Sequence, residues 1–237
     1  MEKLKLYISE LIGTFALVLI GVGSISGTSG SLLPIALAFG FVVAVMVAAT
    51  GHVSGCHINP SVTIALLLTG KIKLPDAIAY IVSQLIGATL GAFVLTVMIT
   101  TPHDAPNAAA AGATALAPGV TVMQGLIIEI VLTFFLVFVI FGTAVDMRAQ
   151  KLASLFIGLT VVIDILVGGK YTGASLNPAR SFGPALVGGV WANHWIYWVG
   201  PIIGAAIAGL LYNGLFLPRS IPEAQPEVRP GAASETP

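Results

Sequence analysis

The sequence predicts an all-α membrane protein with six transmembrane helices and two re-entrant half-helices, arranged as an inverted repeat. Three observations predict it. The 237 residues are 57% hydrophobic and only 8% charged, whereas soluble domains carry about 25% charged residues. Two short stretches echo each other, Ser54-Gly55-Cys56-His57-Ile58-Asn59-Pro60-Ser61 and Thr172-Gly173-Ala174-Ser175-Leu176-Asn177-Pro178-Ala179. Finally, the flanking segments repeat at a nearly constant spacing.

Each stretch reads as a loop feeding a short helix. Asn is a favoured N-cap, and Pro at the first helical position loses nothing, because its missing N–H would be an orphan there. One Asn-Pro alone is an ordinary helix start. Two of them, each preceded by a small residue, Gly and three further residues, point to half-helices at a membrane transport site.

Taken in order, Glu2-Lys3-Leu4-Lys5 is a charged lead-in. Leu6 to Ser26 is a first span, since about 20 apolar residues cross the hydrocarbon core. It is too long for the apolar region of a signal peptide. Leu33 to Thr50 is the second span. The first half-helix, Asn59 to Thr69, stops at Gly70-Lys71. Leu74 to Thr100 is the third span, and the Ala- and Pro-rich stretch 101–118 reads as a surface connection. Spans four and five cover about 120–145 and 152–168. The second half-helix runs from Asn177 to Val187, and the last span from about His194 to Leu217. Residues 1–217 thus form a single channel-like domain, with repeats at about 6–100 and 119–217. The Pro- and Glu-rich tail, 218–237, is expected to be disordered.

The repeat is explicit. Glu10 precedes Glu129 by 119 positions, Asn59 precedes Asn177 by 118, and Gly87 precedes Gly204 by 117. Three full spans per repeat is an odd number, so the second copy enters the membrane from the opposite side. The half-helices then dip in from opposite faces and their Asn-Pro ends meet near the midplane. Of ten Lys and Arg, eight fall on one side: Lys3, Lys5, Lys71, Lys73, Arg148, Lys151, Arg219 and Arg229. The excess of basic residues makes that side cytoplasmic, with both termini inside.

Composition also excludes classes. Formal net charge is zero, so no basic surface suggests nucleic acid. The single Cys56 forbids an intramolecular disulfide framework. No metal cluster, cofactor motif or nucleophile constellation is visible, so an enzyme is not expected.

The two Asn-Pro-small boxes, with Gly51-His52-Val53-Ser54-Gly55 before the first and Asn177-Pro178-Ala179-Arg180-Ser181-Phe182-Gly183-Pro184 at the second, resemble the aquaporin (major intrinsic protein) family over nearly the whole chain. Ser61 departs from the family's Asn-Pro-Ala. The resemblance implies a passive channel for water, with small neutral solutes as further cargo, in a homotetramer in the cell membrane. Convergent helix dipoles and the Asn59 and Asn177 amides would hold a hydrogen-bond acceptor at the pore centre and repel cations. Aquaporin-type pores are the general example of that selectivity. Matching motifs place the constriction at Phe39, Ile165, Ala174 and Arg180. Ile165 stands where water-selective members have His, which implies a wider, less polar filter like that of some archaeal-type members.

The remaining polar residues divide between support and pore. Glu10 and Glu129 are intramembrane carboxylates, costly unless paired; they read as acceptors for the pore-loop backbone, or alternatively as proton-relay groups. His57 is expected to line the cytoplasmic vestibule, and His52 to support the loop. Cys56, matching Ala174 by position, is a candidate mercurial site. Asp164 pairs with Lys170 or faces a neighbouring subunit. Gly13, Gly87, Gly91 and Gly204 suggest close helix packing in the tetramer. The competing functions are a glycerol or dissolved-gas facilitator, which the Ile165/Ala174 pair favours, and a proton-coupled transporter using Glu10, Glu129 and Asp164.

Overall fold

The computed structural model describes residues 2–28, 30–99, 107–149 and 151–218. The expected tail, with Arg219 and Arg229, therefore lies outside the described residues, except for Pro218. Six helices are long and apolar enough to cross a membrane: α1 (Glu2–Gly27), α2 (Leu32–Ser54), α4 (Leu74–Met98), α6 (Val122–Val145), α7 (Ala153–Thr172) and α9 (Ile196–Leu215), where α3 is Pro60–Leu68, α5 is Ala108–Ala111 and α8 is Pro178–Gly188. The short α3 and α8 have 9 and 11 residues. At about 1.5 Å per residue each crosses about half of a roughly 30 Å hydrocarbon core.

All six spans and both half-helices agree with the sequence reading, but α2 and α7 extend past the expected Thr50 and Gly168. The apolar run fades there, yet each helix continues until a glycine adopts a left-handed conformation, Gly55 at φ 84° and Gly173 at φ 81°. That geometry, rather than hydropathy, ends the helix. The half-helix α3 stops similarly, with Gly70 at φ 71° and the Lys71 N–H donating to the Leu66 carbonyl at 2.8 Å.

Packing follows the repeat. α1 lies on α4 and α6 on α9, while α2 and α7 meet between them; each half-helix packs on the third span of the other repeat, α3 on α9 and α8 on α4. Glycines make these approaches possible, since a Cβ on Gly87 would strike the Leu11 carbonyl, one on Gly204 the Ile130 carbonyl, and one on Gly183 the Ala88 carbonyl. Gly13 meets Ile58 and Gly91 meets the Phe15 carbonyl in the same way. The glycines assigned to subunit packing are therefore used within the chain itself, which corrects that expectation. The outer faces instead carry large exposed apolar side chains such as Phe41, Val45, Val97, Ile163 and Leu210, as a multi-pass membrane protein requires.

A second correction concerns the stretch 101–118. Its described part is no loose surface connection: Ala108 and Ala109 are fully buried, and Asn107 caps α5 by accepting from the Ala110 N–H. At the opposite end of the molecule, Arg148 pairs with Asp146 and donates to the Phe216 carbonyl at 2.7 Å, tying the α6–α7 connection to the end of α9. The guanidinium beside it holds the Asp146 carboxyl well below the usual carboxylate range.

Candidate functional site

The loops before the half-helices follow one backbone plan. Cys56 and Ile58 adopt positive φ of 48° and 43°, and Ala174 and Leu176 of 42° and 56°. Side chains with a Cβ avoid this region, which costs about 1–3 kcal/mol per residue and persists only where surroundings impose it. The buried carboxylates impose it. Glu10 accepts from the His57 N–H at 2.9 Å, the Ile58 N–H at 2.6 Å, the Ser54 hydroxyl at 2.7 Å and the Gln84 amide at 2.8 Å. Glu129 accepts from the Ser175 and Leu176 N–H groups, both at 2.9 Å, and the Thr172 hydroxyl at 2.7 Å.

Further bonds repeat as well. The Tyr80 hydroxyl donates to the Ser54 carbonyl at 2.8 Å and the Tyr197 hydroxyl to the Thr172 carbonyl at 2.9 Å. These ties fix the last turns of α2 and α7, from which the loops depart.

The loops then interlock. The Asn59 side-chain oxygen caps α3 by accepting from the Ser61 N–H at 2.9 Å, while its amide donates across the centre to the Leu176 carbonyl at 2.9 Å. Asn177 caps α8 through the Ala179 and Arg180 N–H groups, and its amide donates to the Ile58 carbonyl at 2.8 Å. Because each Asn oxygen is committed to a cap, the amide orientation is fixed. Each –NH₂ carries two hydrogens, so one remains beyond the crossed bond.

A cavity of about 330 Å³ runs past this junction, and Asn59, Asn177, Cys56, His57, Phe39, Ile165, Ala174 and Arg180 all line it. The four residues assigned to the constriction thus share one wall system. Arg180 is only 4% exposed, which rules out an interfacial snorkelling role. Its guanidinium lies 4.9 Å from the centre of the Phe39 ring and donates to the Gly112 carbonyl at 3.0 Å. Lys71 lines the opposite mouth.

Other expectations resolve individually. His57 lines the cavity and its Nδ1 also meets the Thr63 hydroxyl at 3.1 Å, so pore-lining and supporting roles coincide. His52 is exposed, and among the described residues no hydrogen bond ties it to the loop. Cys56 is 5% exposed, with its Sγ turned toward Gly13 of α1. Asp164 is 4% exposed, and one carboxylate oxygen has no partner among the described residues. It neither pairs with Lys170 nor faces outward, because its side of α7 packs into the bundle. Ser61 is fully buried, and its hydroxyl has no partner among the described residues.

Sequence reasoning missed Tyr80, Tyr197, Gln84, Thr114 and Gly112. The tyrosines lie 117 positions apart, the repeat spacing, and that signal was available. Gln84 has no such mate, and Gly112 acts through a backbone carbonyl, which no side-chain pattern announces.

Two half-helices joined cap to cap beside a continuous cavity, in a six-span inverted repeat, define a membrane pore of the re-entrant-helix class. The chain matches the model of the major intrinsic protein family over residues 1–212, and it belongs to that family. It is 46% identical to aquaporin TIP4-4 of Zea mays over 89% of this chain and 86% of that protein. It is 45% identical to aquaporin-4 of Mus musculus over 89% of this chain and 67% of that protein. The X-ray structure of the aquaglyceroporin from Plasmodium falciparum superposes with a TM-score of 0.79 at 24% identity, covering 90% of this chain and 96% of that one, a likeness of fold.

Proposed function

We propose that this chain is a passive transmembrane channel in which water passes between Asn59 and Asn177 and is filtered at Phe39, Ile165, Ala174 and Arg180. The observation that carries the reading is the crossed Asn pair. Each amide is locked by its own half-helix cap and by a carbonyl of the opposite loop. Two donors are thereby held beside the cavity without reorganising, and two helix N-termini meet there. A neutral acceptor such as water is favoured, whereas a cation meets two positive dipole ends and the Arg180 charge.

The side chains of Ile165 and Ala174 offer no hydrogen bond, and they favour a second reading in which glycerol or a dissolved gas also passes. Glu10 accepts four hydrogen bonds and Glu129 three, mostly from the pore loops and the helix ends that feed them, which supports a positioning role over a proton relay. The basic residues Lys3, Lys5, Lys71 and Lys73 support cytoplasmic termini. A cell-membrane location and a homotetramer with one pore per subunit complete the proposal.

The test is stopped-flow light scattering of proteoliposomes facing an impermeant osmolyte and, separately, glycerol. Fast shrinkage without re-swelling in glycerol supports a water-selective pore. Rapid glycerol entry puts the second reading first, and shrinkage no faster than empty vesicles refutes both.

A further inference from the structure

The first span is not a uniform α-helix. Leu17–Val22 forms a π-turn, within which Leu17, Val18, Gly21 and Val22 are buried. Such single-turn insertions are frequent at functional sites, and this one lies against the constriction. A Cβ on Gly21 would sit 2.5 Å from Cδ1 and 2.8 Å from Cζ of Phe39, closer than atoms can approach. The bare backbone of Gly21 is therefore the surface against which one edge of the Phe39 ring rests. The next residue acts on the other partner of Arg180. Val22 is fully buried, and its Cγ1 fills the space that a side chain on Gly112 would occupy. Gly112 is the residue whose carbonyl accepts from the Arg180 guanidinium.

We infer that the π-turn of α1 is a specificity-determining element, in which Gly21 seats the Phe39 ring and Val22 backs the Gly112 carbonyl that fixes Arg180. The extra residue of a π-turn places these two neighbouring positions together at the constriction, where one touches the aromatic wall and the other the support of the cationic wall. A methyl group at position 21 has to displace the ring, since the backbone of a buried transmembrane helix moves less readily than a side chain. Loss of the Val22 methyls leaves the Gly112 segment unsupported and the guanidinium free to swing. The inference rests on the reading of Phe39 and Arg180 as the filter.

The experiment measures the ratio of glycerol to water permeability in proteoliposomes for the wild-type chain, Gly21→Ala, Phe39→Ala, the Gly21→Ala/Phe39→Ala double variant and Val22→Ala. Gly21→Ala is expected to change the ratio by about threefold or more, threefold being a barrier difference of about 0.65 kcal/mol. In the Phe39→Ala background the same substitution should have almost no effect, because coupling through the ring is gone. Val22→Ala should raise the ratio, and it carries the test by itself if Gly21→Ala does not reach the membrane folded. The same Gly21→Ala factor in both backgrounds, or an unchanged ratio in Val22→Ala, overturns the inference while leaving the filter intact. If Phe39→Ala alone leaves the ratio at the wild-type value, the filter reading itself fails and this inference fails with it.

Discussion

The pore loop before α3 and the pore loop before α8 place the same groups at matching positions: a carboxylate from the first span of each repeat, a hydroxyl and a glycine at the helix end, a tyrosine from the third span, and Asn-Pro. They differ in what projects from that frame. Val62, 3% exposed, stands where the second loop has Arg180. His57 stands where the second has Ser175, and Gln84 where the matching span has Pro201. The first loop is braced by edge-to-face aromatic contacts, His57 with Tyr80 at 4.9 Å between ring centres and Tyr80 with Tyr7 at 6.1 Å. The second is braced by hydroxyls, since Ser175 donates to the Asn177 carbonyl at 2.8 Å and Thr114 donates to Ser181 at 2.8 Å. The shared groups hold backbone, and the unshared ones set chemistry. A duplicated frame therefore carries a buried guanidinium in one half and the apolar Val62 at the matching position of the other.

The sharpest way to break the comparison is to remove the carboxylates. Glu10→Ala strands four donors and Glu129→Ala three. Each variant should lose at least about 3 kcal/mol of stability, since a buried donor left unsatisfied costs about 1–3 kcal/mol, and should abolish water flux. Thermal unfolding in detergent should rank Glu10→Ala as the worse of the two; the reverse order would mean the loops are not held as described. Gln84→Leu then reduces the first loop to the three donors of the second. It should cost about 1–3 kcal/mol, because the amide donates to both Glu10 and the Thr63 hydroxyl, a loss partly offset by removal of a Gln84 oxygen that has no partner among the described residues. A change too small to measure would show that the extra donor is idle.

Cys56 offers a subtler contrast with Ala174. A mercurial should slow water flux in the wild-type chain only over a long incubation, because the thiol is almost wholly buried, and Cys56→Ser should be insensitive. Full inhibition retained in that variant would remove Cys56 from the pore wall. The smallest effect belongs to Ser61→Ala, which copies Ala179 and deletes a buried hydroxyl with no partner among the described residues. Stability should stay level or rise by less than about 1 kcal/mol. A clear loss would reveal a partner for that hydroxyl.

Much of this frame is legible in the sequence because it is written in side chains with local consequences. Asn-Pro announces a capped helix wherever it occurs, and a polar residue such as Glu10 in an apolar span demands a partner. Arg180 is legible for the same reason. The 107–116 segment is not, because alanines bury without a periodic signature, so a packed plug and a surface loop have the same composition. Gly112 contributes only its carbonyl. The π-turn at Leu17–Val22 likewise leaves no mark in a run of leucine, isoleucine and valine, and Gly21 reads as one more helix-packing glycine until the Phe39 ring is seen against it. Asp164 was visible as an anomaly, but its neighbour Ile165 already faced the cavity. Only the packing of α7 decides that the carboxylate turns into the bundle.

The second loop supplies the cationic wall of the proposed filter, opposite the Phe39 ring of α2, and Arg180→Val, which copies Val62 of the first loop, tests that role most directly. Proteoliposomes of this variant should shrink in an impermeant osmolyte at a rate near that of the wild-type chain, while glycerol entry rises about tenfold, as for the loss of about 1.4 kcal/mol of barrier. Unchanged glycerol exclusion with water flux intact would contradict the account, because discrimination would then reside somewhere other than Arg180.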